Sequence, residues 1–306
     1  MIIVTGGAGF IGSNLVLGLN RFGRSDILVV DDLRLGIKHK NLNRARFLDI
    51  LGKQELLEEL KNLSDVRVIF HQGACADTTE SDGRYMMKNN YEYSKRLLHF
   101  AAERGARFLY ASSAAVYGSG RNGFREEPAC EDPLNIYGFS KLAFDNYVRQ
   151  RLGEMRSQVV GLRYFNVYGP NEFHKARMAS VALHLFEQLQ RGGKMQLFEG
   201  SEHFLRDFIH VDDAVAVNLA FMERDVSGIF NCGTGQARAF TEIASALCAR
   251  HGRGELEFIP FPADLSGKYQ RFTQADLQGL RAAGYDAPFL SLEEGVARYY
   301  DALRQA

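Results

Sequence analysis

The sequence predicts an α/β fold: a doubly wound parallel sheet joined to a smaller, discontinuous α/β unit. Three observations carry that reading. Apolar and β-branched runs of strand length alternate with helix-period stretches through the first half of the chain. Three glycines, Gly6, Gly9 and Gly12, separate the first strand from the first helix. Beyond about residue 165 the alternation loosens, so the second unit is expected to be built from separate pieces.

Met1-Ile-Ile-Val4 reads as a buried parallel strand, and Phe10 to Val16 opens a helix. The glycines between them form G-x-x-G-x-x-G, a spacing that suits a dinucleotide: the first allows the turn, the second admits a pyrophosphate, and the third lets helix pack on strand. The helix N-terminus would then present free N–H groups and partial positive charge to the phosphates. Residues 26–31 form the second strand, ending at Asp31, where an acid commonly binds the adenosine ribose. That acid favours NAD, whereas Arg34, Lys38 and Lys53 could hold a 2′-phosphate, so these residues leave NAD and NADP open. A helix follows over 54–63 and a third strand over 66–70, running into the loop His71–Glu80 with its two hydroxyls, Thr78 and Thr79. His71 is more simply a locally satisfied histidine than a functional one. Asn90 opens a helix that ends near Gly105, as a cap or as a cofactor contact. Phe108–Ser113 is the fourth strand, and a further strand covers 159–165. In the second half the pattern gives a helix from Met178 to Gln190, strands at 206–211 and 228–232, and a helix over 213–223. The expected division is 1–165 with 208–235 for the dinucleotide-binding domain, and 166–207 with 236–306 for the substrate domain.

Composition removes several classes of function. The chain has 37 basic and 37 acidic residues and no formal net charge, which argues against a nucleic-acid binder held by bulk charge. Its four cysteines, at 75, 130, 232 and 248, show neither a C-x-x-C pair nor zinc-ligand spacing; they read as reduced thiols, and no metal site is expected. A strand and a glycine loop occupy the place of a signal peptide, and no apolar run is long enough to span a bilayer. A cytoplasmic protein without membrane contact is therefore expected.

The candidate chemistry lies in Tyr137-Gly-Phe-Ser-Lys141, at the start of a long helical pattern. A spacing of four puts Tyr137 and Lys141 on one helix face. A free tyrosine, with a pKa of about 10, is a poor base near neutrality; a nearby ammonium would favour the phenolate. Lys141 could also hold ribose hydroxyls, and Ser113 at the end of the fourth strand could bond a substrate hydroxyl. Tyrosine and lysine four apart occur in almost any protein, but in this order after the glycine loop and Ser112-Ser113 the set is specific.

With these motifs and Arg163-Tyr-Phe-Asn-Val-Tyr-Gly-Pro170, the chain resembles the extended short-chain dehydrogenase/reductases, the family of the nucleotide-sugar epimerases and dehydratases. Further stretches are similar to the branch that acts on an ADP-linked heptose, for lipopolysaccharide inner-core precursors. They are Gly73-Ala-Cys-x-x-Thr-Thr-Glu80, His174-Lys175 before Met178-Ala-Ser-Val-Ala182, Phe198-Glu-Gly-Ser201, Arg206-Asp-Phe208 and Gly267-x-Tyr-Gln-x-Phe-Thr-Gln-Ala-Asp276. The resemblance implies a Rossmann fold and inversion at the exocyclic C6 carbon of the heptose, through a 6-keto sugar and hydride return to the opposite face. Because that hydroxyl lies on opposite sides in the two isomers, two acid/base groups are implied, Tyr137 and Lys175. The implied cofactor is NADP, with NAD possible. It would be held by Gly6, Gly9, Phe10, Ile11 and Gly12 of the loop, by Asp31, Asp32, Lys38 and Lys53 at the ribose, and by Gln72, Gly73 and Ala74 after the third strand. Asn90, Lys141, Val167 and Lys175 complete the cofactor set. Implied substrate contacts are Asn166, Arg177 and His184, then Phe198, Glu199, Gly200 and Ser201, and finally Arg206 and Tyr269; Arg206 suits a diphosphate. A homo-oligomer, reportedly a pentamer in the family, is also implied. Two positions depart from the pattern: Arg177 replaces a small polar substrate contact, and Asp32 replaces a neutral amide, which should weaken a 2′-phosphate. Two other readings remain: turnover of a uridine- or guanosine-linked sugar, and a non-catalytic NADP-binding regulator.

Overall fold

The computed structural model describes residues 1–261 and 270–305. Its main sheet is seven-stranded and wholly parallel. The chain runs β1 (Ile2–Thr5), α1 (Phe10–Arg21), β2 (Ile27–Val30), β3 (Asp49–Leu51), α2 (Lys53–Glu59) and β4 (Val68–His71). It continues through α3 (Gly83–Met87), α4 (Tyr93–Arg104), β5 (Arg107–Ser113), α5 (Ile136–Arg149) and β6 (Val159–Tyr164). The second half contains β7 (Asn166–Tyr168), α6 (Val181–Gly192), β8 (Lys194–Phe198), β9 (Leu205–His210), α7 (Val211–Met222) and β10 (Gly228–Cys232). It closes with β11 (Ala237–Ala239), α8 (Phe240–His251), β12 (Glu255–Ile259), α9 (Gln278–Ala282) and α10 (Leu292–Arg304).

In the main sheet the strand order is β10-β6-β5-β4-β1-β2-β3, so the winding reverses between β1 and β4. In parallel sheets that reversal opens a crevice at the carboxyl ends of the strands. Strand alternation fixes what covers each face. Ile2 and Val4 face a layer with Leu15 and Leu19 of α1 and Val217 and Phe221 of α7. Ile3 faces the other layer, with Leu56 of α2, Leu97 and Leu98 of α4, and Phe144 and Val148 of α5. All of these side chains are buried, each contributing on the order of 1.5–3 kcal/mol. The first-half strands lie where the apolar runs put them, within one to three residues. Strand β3 is the exception. It is a three-residue sheet edge with an exposed Asp49, too short and too polar to give an apolar run.

A three-stranded sheet, β11-β9-β7, and a two-stranded one, β12-β8, form the second unit. Their core joins α6, α8 and α10 through Leu185, Phe186, Ile243, Leu247, Val296 and Tyr299. Between visits to this unit the chain returns to the first: α7 packs on α1, and β10 pairs with β6 at the sheet edge. Among the described residues no helix is long and apolar enough to cross a membrane, and no cluster of three or more His, Cys, Asp or Glu could hold a metal ion.

Candidate active site

Two adjoining cavities open at the switch point. A groove of about 350 Å³ runs over the glycine loop, and a cleft of about 940 Å³ lies between the two units. Phe10, Ile11, Gln72, Ala74 and Lys175 line both.

The groove is shaped for a dinucleotide. Gly6 has φ +66°, and a Cβ there would stand 2.7 Å from the Gly73 backbone, so the loops after β1 and β4 touch only because both carry glycine. At Gly12 a Cβ would lie 2.1 Å from the Gly6 carbonyl oxygen, which closes the turn between strand and helix. Gly9 is the N-cap of α1 and supplies no side-chain cap, so the first-turn N–H groups are left for a ligand. The Asp31 carboxylate accepts the Ala8 N–H at 2.8 Å and its own neighbour Asp32 N–H at 2.6 Å, and pairs with the Lys38 ammonium. Arg34 Nε donates to Asp32 at 2.7 Å, and the Lys53 ammonium donates to Asn89. All of these except Ala8 line the groove, as does His174. Burial lowers the Lys53 ammonium below its ordinary value and does the same for His174, with Lys38 adding to the effect on the histidine.

His71, at the end of β4, is structural. Gly73 N–H donates to Thr5 Oγ1 at 3.2 Å, and Thr5 Oγ1 and His71 Nδ1 are 2.6 Å apart. His71 Nε2 lies 2.8 Å from Ser94 Oγ, which donates to the Asn90 carbonyl at 2.6 Å. This relay assigns a neutral imidazole protonated at Nε2, and burial pushes its pKa down to about 3. Asn90 sits in a π-helical turn between α3 and α4, a device common at functional sites. Its amide accepts the Cys75 N–H at 2.8 Å and donates to the Cys75 carbonyl at 2.9 Å, shaping the loop that lines the groove without lining it itself.

Tyr137, Lys141 and Ser113 meet in the cleft. Asn135 caps α5 through Gly138 N–H at 2.8 Å, which aims the first helical turn at the end of β5. Burial raises the Tyr137 phenol above its ordinary pKa, and the neighbouring Ser113 hydroxyl opposes the shift. Lys141 is buried, donates to the Ala111 carbonyl at 2.8 Å, and is pushed down by burial to about 8.

The opposite contribution comes from residues 173–178. Glu172 is fully buried and accepts from Ser180 at both its N–H (2.6 Å) and its hydroxyl (2.5 Å), anchoring this segment to the cap of α6. Lys175 lies with Nζ 5.1 Å from the centroid of the Phe10 ring. Burial lowers its ammonium below the usual lysine value, and Glu172 opposes the shift. Next to it Ala176 holds φ +47°, a strained value for a residue with a Cβ. Arg177 spans the mouth of the cleft to the loop after β4, donating to Asp77 at 3.0 Å and Thr79 at 2.6 Å.

Of the expected substrate contacts, Asn166, Arg177, His184, Phe198, Ser201 and Arg206 line the cleft, as does Val167 from the cofactor set. Glu199 and Gly200 instead carry the turn between Phe198 and Ser201, with Gly200 at φ +80°. Tyr269 lies outside the described residues. Ser201 Oγ is buried without a hydrogen-bond partner among the described residues. Phe204 and Phe240, which the sequence did not single out, also line the cleft, as do Tyr164, Gln270 and Thr273, which lie in quoted motifs without an assigned role. Phe204 and Phe240 come from separate elements and share no local spacing with the rest.

A crevice at the sheet's switch point, with a Tyr/Lys/Ser set beside it, defines a nicotinamide-dependent enzyme of the short-chain dehydrogenase/reductase type. The chain belongs to the NAD dependent epimerase/dehydratase family, whose model matches residues 2–233. It is 58% identical to an ADP-L-glycero-D-manno-heptose-6-epimerase of Brachyspira hyodysenteriae, over all of this chain and 98% of that one. Among solved structures it resembles the ADP-L-glycero-D-manno-heptose-6-epimerase of Helicobacter pylori, with TM-score 0.88 and 34% identity over 100% and 96% of the two chains. It also resembles a UDP-glucose 4-epimerase of Thermus thermophilus in complex with NAD, with TM-score 0.82 and 27% identity over 100% and 99%.

Proposed function

We propose that the chain epimerises C6 of an ADP-linked heptose, interconverting ADP-D-glycero-β-D-manno-heptose and its L-glycero isomer, in lipopolysaccharide inner-core precursor synthesis. Full-length identity to the Brachyspira epimerase supports the substrate. The observation that supports the mechanism is that two side chains able to carry a proton line one cleft, Tyr137 on α5 and Lys175 on residues 173–178.

The C6 proton of the sugar is not acidic, so direct deprotonation is closed as a route. A bound nicotinamide dinucleotide supplies a place to store a hydride, which makes inversion possible with no net redox change. The protein's share is to take the C6 hydroxyl proton as the ketone forms, and to return a proton to oxygen after the arm has rotated about one bond. Tyr137, beside Ser113, serves one isomer and Lys175 the other. Lys141 holds the nicotinamide ribose and brings a cation one helical turn from Tyr137. Arg206, buried at the cleft wall, suits the diphosphate, and Ser201 Oγ the sugar.

The cofactor we infer is NADP, with NAD also accepted. Lys38, Lys53 and Arg34 stand round the ribose end, but Asp31 and Asp32 already engage Lys38 and Arg34. Asp32→Asn is expected to release Arg34 and raise the ratio of NADP to NAD affinity about five- to tenfold, on the order of 1 kcal/mol. Titrating both dinucleotides against both proteins measures it; an unchanged ratio means Asp32 does not face the adenosine ribose. The protein is expected to be cytoplasmic and homo-oligomeric.

Proton NMR of ADP-D-glycero-β-D-manno-heptose with dinucleotide-loaded protein and no reductant tests the proposal. The L-glycero isomer should appear and reach one fixed ratio from either side. An unchanged spectrum with turnover of a UDP- or GDP-sugar would move the chain to another nucleotide-sugar epimerase or dehydratase. No turnover of any sugar would leave a dinucleotide-binding regulator, against which the assembled Tyr137, Lys141 and Ser113 already argue.

A further inference from the structure

The reaction leaves one buried carboxylate unused directly beneath its machinery. Asp145 lies on α5 four residues after Lys141 and eight after Tyr137, so the three share a helix face. Its side chain is fully buried. Oδ1 accepts the Tyr110 hydroxyl at 2.9 Å; Oδ2 accepts the Ser112 hydroxyl at 2.9 Å and Arg163 Nε at 2.9 Å. Tyr110 and Ser112 belong to the final residues of β5, the strand that delivers Ser113. Arg163, fully buried on β6, also pairs with Glu131 and donates to the Tyr117 hydroxyl at 2.9 Å, and Glu131 in turn pairs with Arg149. The network holds two guanidinium groups and two carboxylates, balanced in charge.

We propose that Asp145 is the positioning residue of the catalytic helix. It ties α5 to the end of β5, and it supplies the anion that lets Lys141 remain a cation in a buried place. This rests on the reading of Lys141 and Ser113 given above. The tie is geometric: one carboxylate joins the helix carrying Tyr137 and Lys141 to the strand end carrying Ser113, so the three groups keep register. The charge follows from the groups that face Lys141. These are Tyr137 and Asp145 from its own helix, His71 from β4 and Cys75 from the loop after it. His71 is neutral, and of the two groups that offset the desolvation of the ammonium, Asp145 and Cys75, Asp145 is the larger. An ammonium left with less support loses its proton at lower pH, and its hold on a ribose weakens from that pH upward.

The test follows the Lys141 Cε resonance with pH in full-length protein carrying ¹³C-labelled lysine, assigned with Lys141→Arg. In Asp145→Asn, which keeps the shape and removes the charge, the midpoint should fall by at least about one unit, a tenfold change in proton affinity. In Asp145→Glu, which restores the charge, it should return. A midpoint that does not move in Asp145→Asn overturns the proposal. A midpoint that falls while dinucleotide affinity and turnover keep their pH profiles upholds the electrostatic role of Asp145 and sinks the role given to Lys141, so the two failures are distinct. Should Asp145→Asn not fold, the double variant Tyr110→Phe/Ser112→Ala removes both strand donors and leaves the charge. Its kcat should then fall about tenfold at nearly constant KM, with the Lys141 midpoint in place; unchanged kcat would overturn the tie.

Discussion

Replacing Tyr137 by phenylalanine is expected to slow epimerisation by about 10³-fold, within the range for loss of a positioned acid or base. The ring stays, so packing at the start of α5 is kept; only the hydroxyl beside Ser113 is lost. Dinucleotide binding should stay within about twofold of the native value, because the glycine loop, Asp31 and Lys141 are untouched. Turnover followed by NMR and dinucleotide titration separate the two effects. Equal losses of both would show that Tyr137 holds the cofactor and does not move a proton.

Lys175→Met should be nearly as severe, slowing epimerisation by about 10²–10³-fold while the long apolar stem still packs against Phe10. The informative result is an asymmetry between the two variants. If each group serves one isomer, Lys175→Met still oxidises the isomer that faces Tyr137, and Tyr137→Phe the one that faces Lys175. Mixing each pure isomer with each variant and following the near-ultraviolet absorbance of reduced nicotinamide would show opposite preferences. The same preference in both variants would assign all proton transfer to one residue. The pH sign follows from burial, which lowers the Lys175 ammonium. Oxidation of the isomer that uses Lys175 as base accelerates as pH rises through that lowered value, while the step that needs its ammonium slows.

The legible parts of this molecule are those whose signals are local. A glycine loop between strand and helix, and a tyrosine four residues before a lysine, are spacings along a single element, and the structure brings both to the switch point. Non-local relations stayed hidden. The role of His71 is set by Thr5 and Ser94, far from it in sequence and adjacent to it in space. Asp145 and Arg163 belong to separate elements, and nothing in either stretch reveals that one buried network unites them with Glu131 and Ser112. Arg177 stood out as a departure, but its grip on Asp77 and Thr79 depends on two loops meeting across the cleft. Strand β3 was missed because a three-residue edge carries too little apolar pattern to register.

The seventh strand of the main sheet has a consequence for how the molecule is made. Strand β6 is wholly buried in the finished fold, yet its outer neighbour β10 is encoded only at 228–232, after the chain has laid down much of the second unit. On the ribosome, at about 5–20 residues per second, the apolar edge of Val159, Val160 and Leu162 therefore waits several seconds for its partner. An unpaired parallel edge of that composition invites pairing with another nascent chain. Yield from crowded expression should thus be limited by that interval, and co-expressed chaperones should act on the growing polypeptide before release.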